Sequence, residues 1–328
     1  MDPNTQRNIV LRFDMRASPE CPDSPTKRYR AAIEMASWAD RNAVDVVGLS
    51  EHHNTEDGFL SAPLQLAGMM VAATSHVRIS VSALLVPLHQ PLRLAEDISV
   101  LDLVSQGRFT ATCGLGYREK EYAAAGVEWK NRGKIFDQKL GCLKDLLSGN
   151  SVQINGVNTQ LVPAPNSPVQ ALLTVGGNSA AAARRAARLG LILCPAIDDP
   201  SLESTYLAEC ERQGTRGAVI FPREPATTFL SEDPQSAWQQ IGRYLLYDAR
   251  AYGAWHHPNR RAYAESFADN LEQLRAEGKY RILTPAQAVE AITNKGSLHL
   301  SPLCGGVPIE MGWNSLNLFE QQVKPALQ

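Results

Sequence analysis

The chain has almost no net charge: 32 Lys and Arg stand against 34 Asp and Glu, a formal −2 with pI about 6.4. Without a basic excess there is no electrostatic footprint for nucleic acid. No apolar run approaches the ~18 residues a membrane helix needs, and the first residues, MDPNTQRN, carry no apolar core of a secretory signal. The six cysteines are scattered with no C-x-x-C pair, which argues against redox dithiols, zinc ribbons and disulfide frameworks and for reduced thiols. The patterns G-x-x-x-x-G-K-[ST], G-x-S-x-G and H-E-x-x-H are all missing, so triphosphate loops, serine-hydrolase elbows and zincin helices are excluded. A soluble, cytoplasmic protein that acts on a small molecule or pairs with its own copy is the expectation. Its 328 residues, 44% hydrophobic and 20% charged, suffice for a full globular core.

What is present is an alternation. Short apolar runs at residues 9–13, 44–49, 77–86, 108–113, 169–175, 191–194, 218–221 and 297–301 read as strands. Helical spacing recurs at 26–42, 64–74, 92–105, up to Gly149, and at 178–188, 202–212, 234–252, 285–292 and 316–323. Thr26 and Asn178 suit N-caps and Gly107 a C-cap. Residues 151–168 read as turns, and about 255–283 as a polar, irregular excursion. Eight strand–helix units without repeats call for a parallel sheet, open and doubly wound or closed; over this length they favour a closed (β/α)8 TIM barrel. Residues 1–328 then form a single domain, with the excursion before the last strand.

Chemistry concentrates at residues 44–53, VDVVGLSEHH, where a buried-strand pattern ends in an acid and two imidazoles. Active sites of α/β barrels sit where strands end. Successive side chains on a strand point to opposite faces, so His52 and His53 cannot easily share a metal. One faces the barrel mouth as general base or hydrogen-bond donor, or is a structural histidine bonded to a loop carbonyl. No metal site is expected. Gly176-Gly177-Asn178-Ser179 joins a strand to an Ala-rich helix, and its exposed N–H groups form either an anion site or an ordinary turn. Gly114-Leu115-Gly116-Tyr117-Arg118 follows another strand, with Tyr117 able to stack on a ring and Arg118 to reach a phosphate, but it is no dinucleotide fingerprint. His256-His257 reads as a surface loop, and Asp97, Asp102 and Arg108 as a buried ion-pair network away from the site.

The stretches EHHNTEDGFLSAP (51–63), LVPLHQPLRLAEDISVLDLVSQGRF (85–109), GLGYREKEYAAAG (114–126) and GGNSAAAARRAARLG (176–190) stand in the order of known signatures. With the closing LSPLCGGVPIEMGWNSLNLFEQQVKP, they make the chain resemble the bacterial luciferase-like flavin-dependent monooxygenases. The resemblance implies FMN at the barrel mouth, His52 as the catalytic residue, and a non-prolyl cis peptide at Ser82-Ala83 beneath the flavin ring. It puts the phosphate at Ser179 beside Gly176, Gly177 and Asn178, with Gly114, Tyr117 and Arg118 also near the cofactor. Luciferase itself carries a reactive cysteine and a phosphate-binding arginine where this chain has Gly114 and Leu115, so light emission is not implied, and Arg118 becomes the candidate cation.

The reaction implied is oxygenation of a small organic substrate by O₂ and reduced FMN from a partner reductase. The alternatives are a deazaflavin-dependent hydride-transferring oxidoreductase on the same fold and a non-catalytic flavin-binding partner subunit. The resemblance also implies a homodimer through the early helices, where Met35, Trp38, Met69 and Met70 fit either such a face or the core.

Overall fold

The computed structural model describes residues 7–223, 226–255 and 266–328. In chain order the strands are β1 (Asn8–Phe13), β2 (Val46–Leu49), β3 (Arg78–Leu84), β4 (Phe109–Cys113), β5 (Val152–Ile154), β6 (Val157–Thr159), β7 (Leu173–Gly176), β8 (Ile192–Cys194), β9 (Thr227–Leu230), β10 (Tyr280–Leu283) and β11 (Ser297–Leu300). The helices are α1 (Pro25–Arg41), α2 (Pro63–Ala72), α3 (Pro91–Ser105), α4 (Glu119–Ala124), α5 (Arg132–Leu147), α6 (Val169–Leu172), α7 (Ala180–Leu189), α8 (Pro200–Gln213), α9 (Pro234–Gly253), α10 (Leu271–Glu277), α11 (Pro285–Lys295) and α12 (Ile309–Leu318). Proline opens α1, α2, α3, α8, α9 and α11, where its fixed φ and missing N–H cost nothing.

Nine strands form one parallel sheet in the order β10-β9-β11-β1-β2-β3-β4-β7-β8. Residues of β11, β1, β2, β3, β4, β7 and β8 all line one cavity. In a flat sheet β11 and β8 would stand about 29 Å apart at the usual ~4.8 Å strand spacing. The sheet is therefore curled into a barrel, and the protein has the (β/α)8 architecture. Along β1 the alternation is direct: Ile9, Leu11 and Phe13 are buried in the apolar core, while Val10 and Arg12 face the cavity.

Several local expectations change. Pro25 takes the first position of α1, so Ser24 rather than Thr26 caps it, accepting from the Lys27 N–H. Ser179, not Asn178, caps α7 by accepting from the Ala182 N–H at 3.2 Å. Helix α3 closes on Gln106 at φ 55, one residue before the expected Gly107. The turn-rich stretch 151–168 holds the β5–β6 hairpin, and the strand expected over 169–175 begins as the turn of helix α6. Of the strand expected at 218–221 only a bridge between Leu193 and Val219 remains. Another unexpected strand is β9, whose TTFL sequence is too short to show a period. Among the described residues of 255–283, α10 and β10 replace irregular chain, and β10 pairs in register with β9. His256-His257 lies outside the described residues. The closing helix begins earlier than expected, at Ile309, and runs on as a π turn over Phe319–Val323.

Candidate active site

Beyond Leu49 the chain leaves the sheet through Ser50, Glu51, His52 and His53, and the two imidazoles part to different partners. His52 lines a cavity of about 600 Å³ and is 6% exposed. Its Nδ1 lies 2.9 Å from Glu121 Oε1 on α4, and its Nε2 lies 2.8 Å from the Tyr117 hydroxyl. The carboxylate fixes Nδ1 as the protonated nitrogen, which leaves Nε2 to accept from Tyr117. Phe59, Trp255 and Tyr117 ring it with centroids at 4.8, 4.7 and 5.1 Å.

Burial pulls the His52 pKa down and outweighs the hydrogen bond and charge of Glu121, which push it up; Arg118 and Arg16 lower it further. The imidazole is thus held neutral and able to take a proton. Glu121 goes the other way: burial pushes its carboxyl up, but the bond to His52, the His53 N–H and Arg118 together hold it ionised.

His53 turns away from the cavity. Its Nε2 and that of His89 reach Glu51 Oε1 at 2.8 and 2.7 Å, while Glu51 Oε2 accepts from the Leu85 N–H at 2.5 Å. Burial pushes Glu51 up, yet these hydrogen bonds bring it to about 2. The ligand atoms of Glu51, His53 and His89 lie within 4.8 Å of one another, a spacing a divalent cation could bridge; the short contacts have hydrogen-bond lengths. His89 escaped the sequence analysis because it stands 38 residues from Glu51.

The Ser82–Ala83 peptide bond is cis, and both residues line the cavity. Ser50 Oγ donates to the Ser82 carbonyl at 3.0 Å. A Cβ on Gly114 would stand 2.6 Å from Ala83 Cβ, so the residue after β4 must be glycine for β3 to keep this path. Gly114, Tyr117, Gly176, Gly177, Asn178 and Ser179 also line the cavity. Gly177 is at φ 136, and a Cβ there would meet Ala182 at 2.7 Å. Asn178 Oδ1 accepts from the Ala196 N–H at 2.7 Å, tying the β7 turn to the one after β8.

Arg118 is not at the cavity wall. Its Nη1 donates to the His53 carbonyl at 2.7 Å and to Glu121 at 2.9 Å, and its guanidinium lies 4.3 Å from the Trp255 ring centre. An arginine that does line the cavity beside the Gly176–Ser179 turn is Arg185 on α7, two turns into the helix that Ser179 caps. It is paired with Asp137 at 2.5 Å, and its Ala-rich surroundings gave no sign of it in the sequence. The expected Asp97–Asp102–Arg108 network dissolves too. Asp97 pairs with Arg93, Asp102 accepts from the Asn166 and Ser167 N–H groups, and Arg108 donates to carbonyls and Thr74.

A deep cavity walled by apolar side chains, with a glycine cradle, a capped helix N-terminus and a buried arginine at one end, suits a planar ring with a phosphate tail. Sequence comparison decides the lineage: the family described as Luciferase-like monooxygenase matches residues 11–296. The chain belongs to this family. It is 27% identical over 173 residues to the alkanal monooxygenase alpha chain of Photorhabdus luminescens, covering 51% of this chain and 48% of the relative. The chain thus spans about half the length of such curated relatives. Among solved structures, the family fold recurs in the monooxygenase RslO1 from Streptomyces bottropensis, at TM-score 0.75 and 22% identity over 98% of this chain and 100% of that one. It also recurs in the oxygenating constituent of 3,6-diketocamphane monooxygenase of Pseudomonas putida, a complex with FMN, at TM-score 0.68 and 18% identity over 98% of each chain. No helix among the described residues of this luciferase-like protein is long and apolar enough to cross a membrane.

Proposed function

We propose that this luciferase-like chain is a flavin-dependent monooxygenase that uses reduced FMN and O₂ to oxygenate a small organic substrate. The observation that carries the proposal is a neutral, buried His52 held between Glu121 and Tyr117 in the same cavity as the glycine and serine cradle. When bound, reduced FMN supplies the electrons and the site of oxygen activation.

The protein's own part is orientation and proton handling. Ser179, the Gly176–Gly177 turn and Arg185 face a phosphate, and Ser82, Ala83 and Gly114 present a close, flat wall to a ring. His52 Nε2 accepts a proton through Tyr117 or from the reacting group, and Glu121 stabilises the resulting imidazolium through Nδ1. Phe59, Tyr252 and Trp255 keep water from the imidazole.

Reduced FMN comes from a separate reductase in this proposal, and the chain works in the cytoplasm as one barrel domain. Its partner copy docks on α2 and α3, where Met69, Val100 and Val104 are more than half exposed. Of the residues open to either role, Met35, Trp38 and Met70 are core residues. Side-by-side titration with FMN and a deazaflavin coenzyme tests the reading: preference for the deazaflavin turns it into hydride transfer. Turnover of a good substrate unchanged in His52→Ala removes His52 from the catalytic role, and FMN binding without turnover leaves a flavin-binding subunit instead.

A further inference from the structure

One corner of the cavity is not used by the His52 machinery. Strands β11 and β1 pair with Val10 opposite His299, so Arg12, two residues on, presents its side chain to the same face of the barrel. Both Arg12 and His299 line the cavity, with Val10, Val46, Gly48, Phe59 and Tyr252 about them. His299 Nε2 is buried and has no hydrogen-bond partner among the described residues. A desolvated imidazole nitrogen left unpaired is costly, and a ligand atom facing it removes that cost.

The local field tells which kind of atom. Burial first, then the guanidinium groups of Arg12 and Arg281, lower the His299 pKa to about 4, so at neutral pH the ring is uncharged, and in the tautomer protonated at Nε2 it offers an N–H to an acceptor. Arg12 is held in place by its bonds from Nη2 to the Tyr252 hydroxyl at 3.0 Å and Ser50 Oγ at 3.4 Å. Asp14 shares its charge with Arg12 but does not line the cavity. Toward the cavity this corner therefore presents a positive charge and a lone N–H, set among apolar and aromatic walls.

We propose that Arg12 and His299 form an oxygen-anion subsite, which selects substrates with an apolar, ring-bearing body and a carboxylate or phenolate group. Arg12 supplies charge and His299 a hydrogen bond, and together they orient the substrate relative to His52 from the adjacent strands β1 and β11. This rests on the reading of the cavity as the substrate and flavin site. Arg12 and His299 are positioning residues for substrate rather than participants in proton transfer.

The test is equilibrium binding of three ring probes, 2-naphthoate, 4-nitrophenolate and the uncharged 2-naphthamide, to the full-length protein with and without FMN. The subsite predicts that 2-naphthoate or 4-nitrophenolate binds at least tenfold more tightly than 2-naphthamide, the preferred one identifying the anion. The preference is lost in Arg12→Gln, retained in large part in Arg12→Lys, and reduced in His299→Leu. Affinity for FMN stays within twofold throughout. Equal binding of charged and uncharged probes to the wild type, or a preference that survives Arg12→Gln, overturns the subsite. Anion preference without any FMN binding overturns the flavin reading instead. If Arg12→Gln does not fold, a reduced preference in His299→Leu together with its retention in Arg12→Lys supports the subsite, and an unchanged preference in His299→Leu overturns it.

Discussion

Replacing Glu121 by Gln probes the heart of the site with little change of shape. Glu121 Oε1 receives three bonds of 2.9 Å, from His52 Nδ1, the His53 N–H and Arg118 Nη1. An amide oxygen can keep all three, but each loses its charge assistance, a difference of roughly 1 kcal/mol per bond. The expected destabilisation is about 2–3 kcal/mol, or a fall in Tm of several degrees at this chain length.

The catalytic consequence has a definite sign. Glu121 raises the His52 pKa against the larger lowering effect of burial, so its neutralisation lets that pKa drop further. A base that must be unprotonated then stays active to lower pH. The acid limb of the pH profile for oxidation of reduced FMN, followed by stopped-flow absorbance, should move to lower pH while the plateau rate falls. An acid limb that moves up, or stays in place while Tm is unchanged, refutes the role assigned to the Glu121–His52 pair.

Other consequences are equally specific. Asp14 is held at about 6 by burial ahead of repulsion from Asp248, with Arg12 and Arg16 opposing. A carboxyl raised in the folded state costs stability as pH climbs from about 4 to 6, and the full cost remains above that. Asp14→Asn should therefore raise Tm at pH 7.5, by about 2–3 kcal/mol of stability, and have little effect near pH 4; a gain equal at both values contradicts the shift. Gly114→Ala puts a methyl 2.6 Å from Ala83 Cβ, and overpacking of that kind costs about 1–3 kcal/mol; thermal melts and weakened FMN binding check it. Arg185→Gln should reduce affinity for FMN about tenfold, as loss of a charge-assisted phosphate contact does, while leaving riboflavin affinity unchanged. Equal losses for both ligands would place Arg185 in a purely structural role through Asp137.

The alternation of strands and helices was legible because parallel strands buried on both sides read as apolar runs and proline marks the helix starts. Strand β9 was not, since four residues between polar loops carry no measurable period. His52 and the Gly176–Ser179 turn announce themselves by ending strands. Glu121 does not: it is one acidic residue among several in REKEYAAAG, and only the geometry of α4 turns it, at three residues from Arg118, onto both histidines. For the same reason Arg118 looked like the phosphate cation, while its guanidinium is engaged by Glu121 and Trp255. Arg185 and His299 become visible as site residues only once distant strands and helices close around one cavity.

The measurement that bears most directly on the central claim is an anaerobic fluorescence titration of the purified protein with FMN, oxidised and then reduced. Saturable binding of FMN at one site per chain, tighter for the reduced form and weakened in Arg185→Gln, is the predicted result. A protein that takes up neither form contradicts the account.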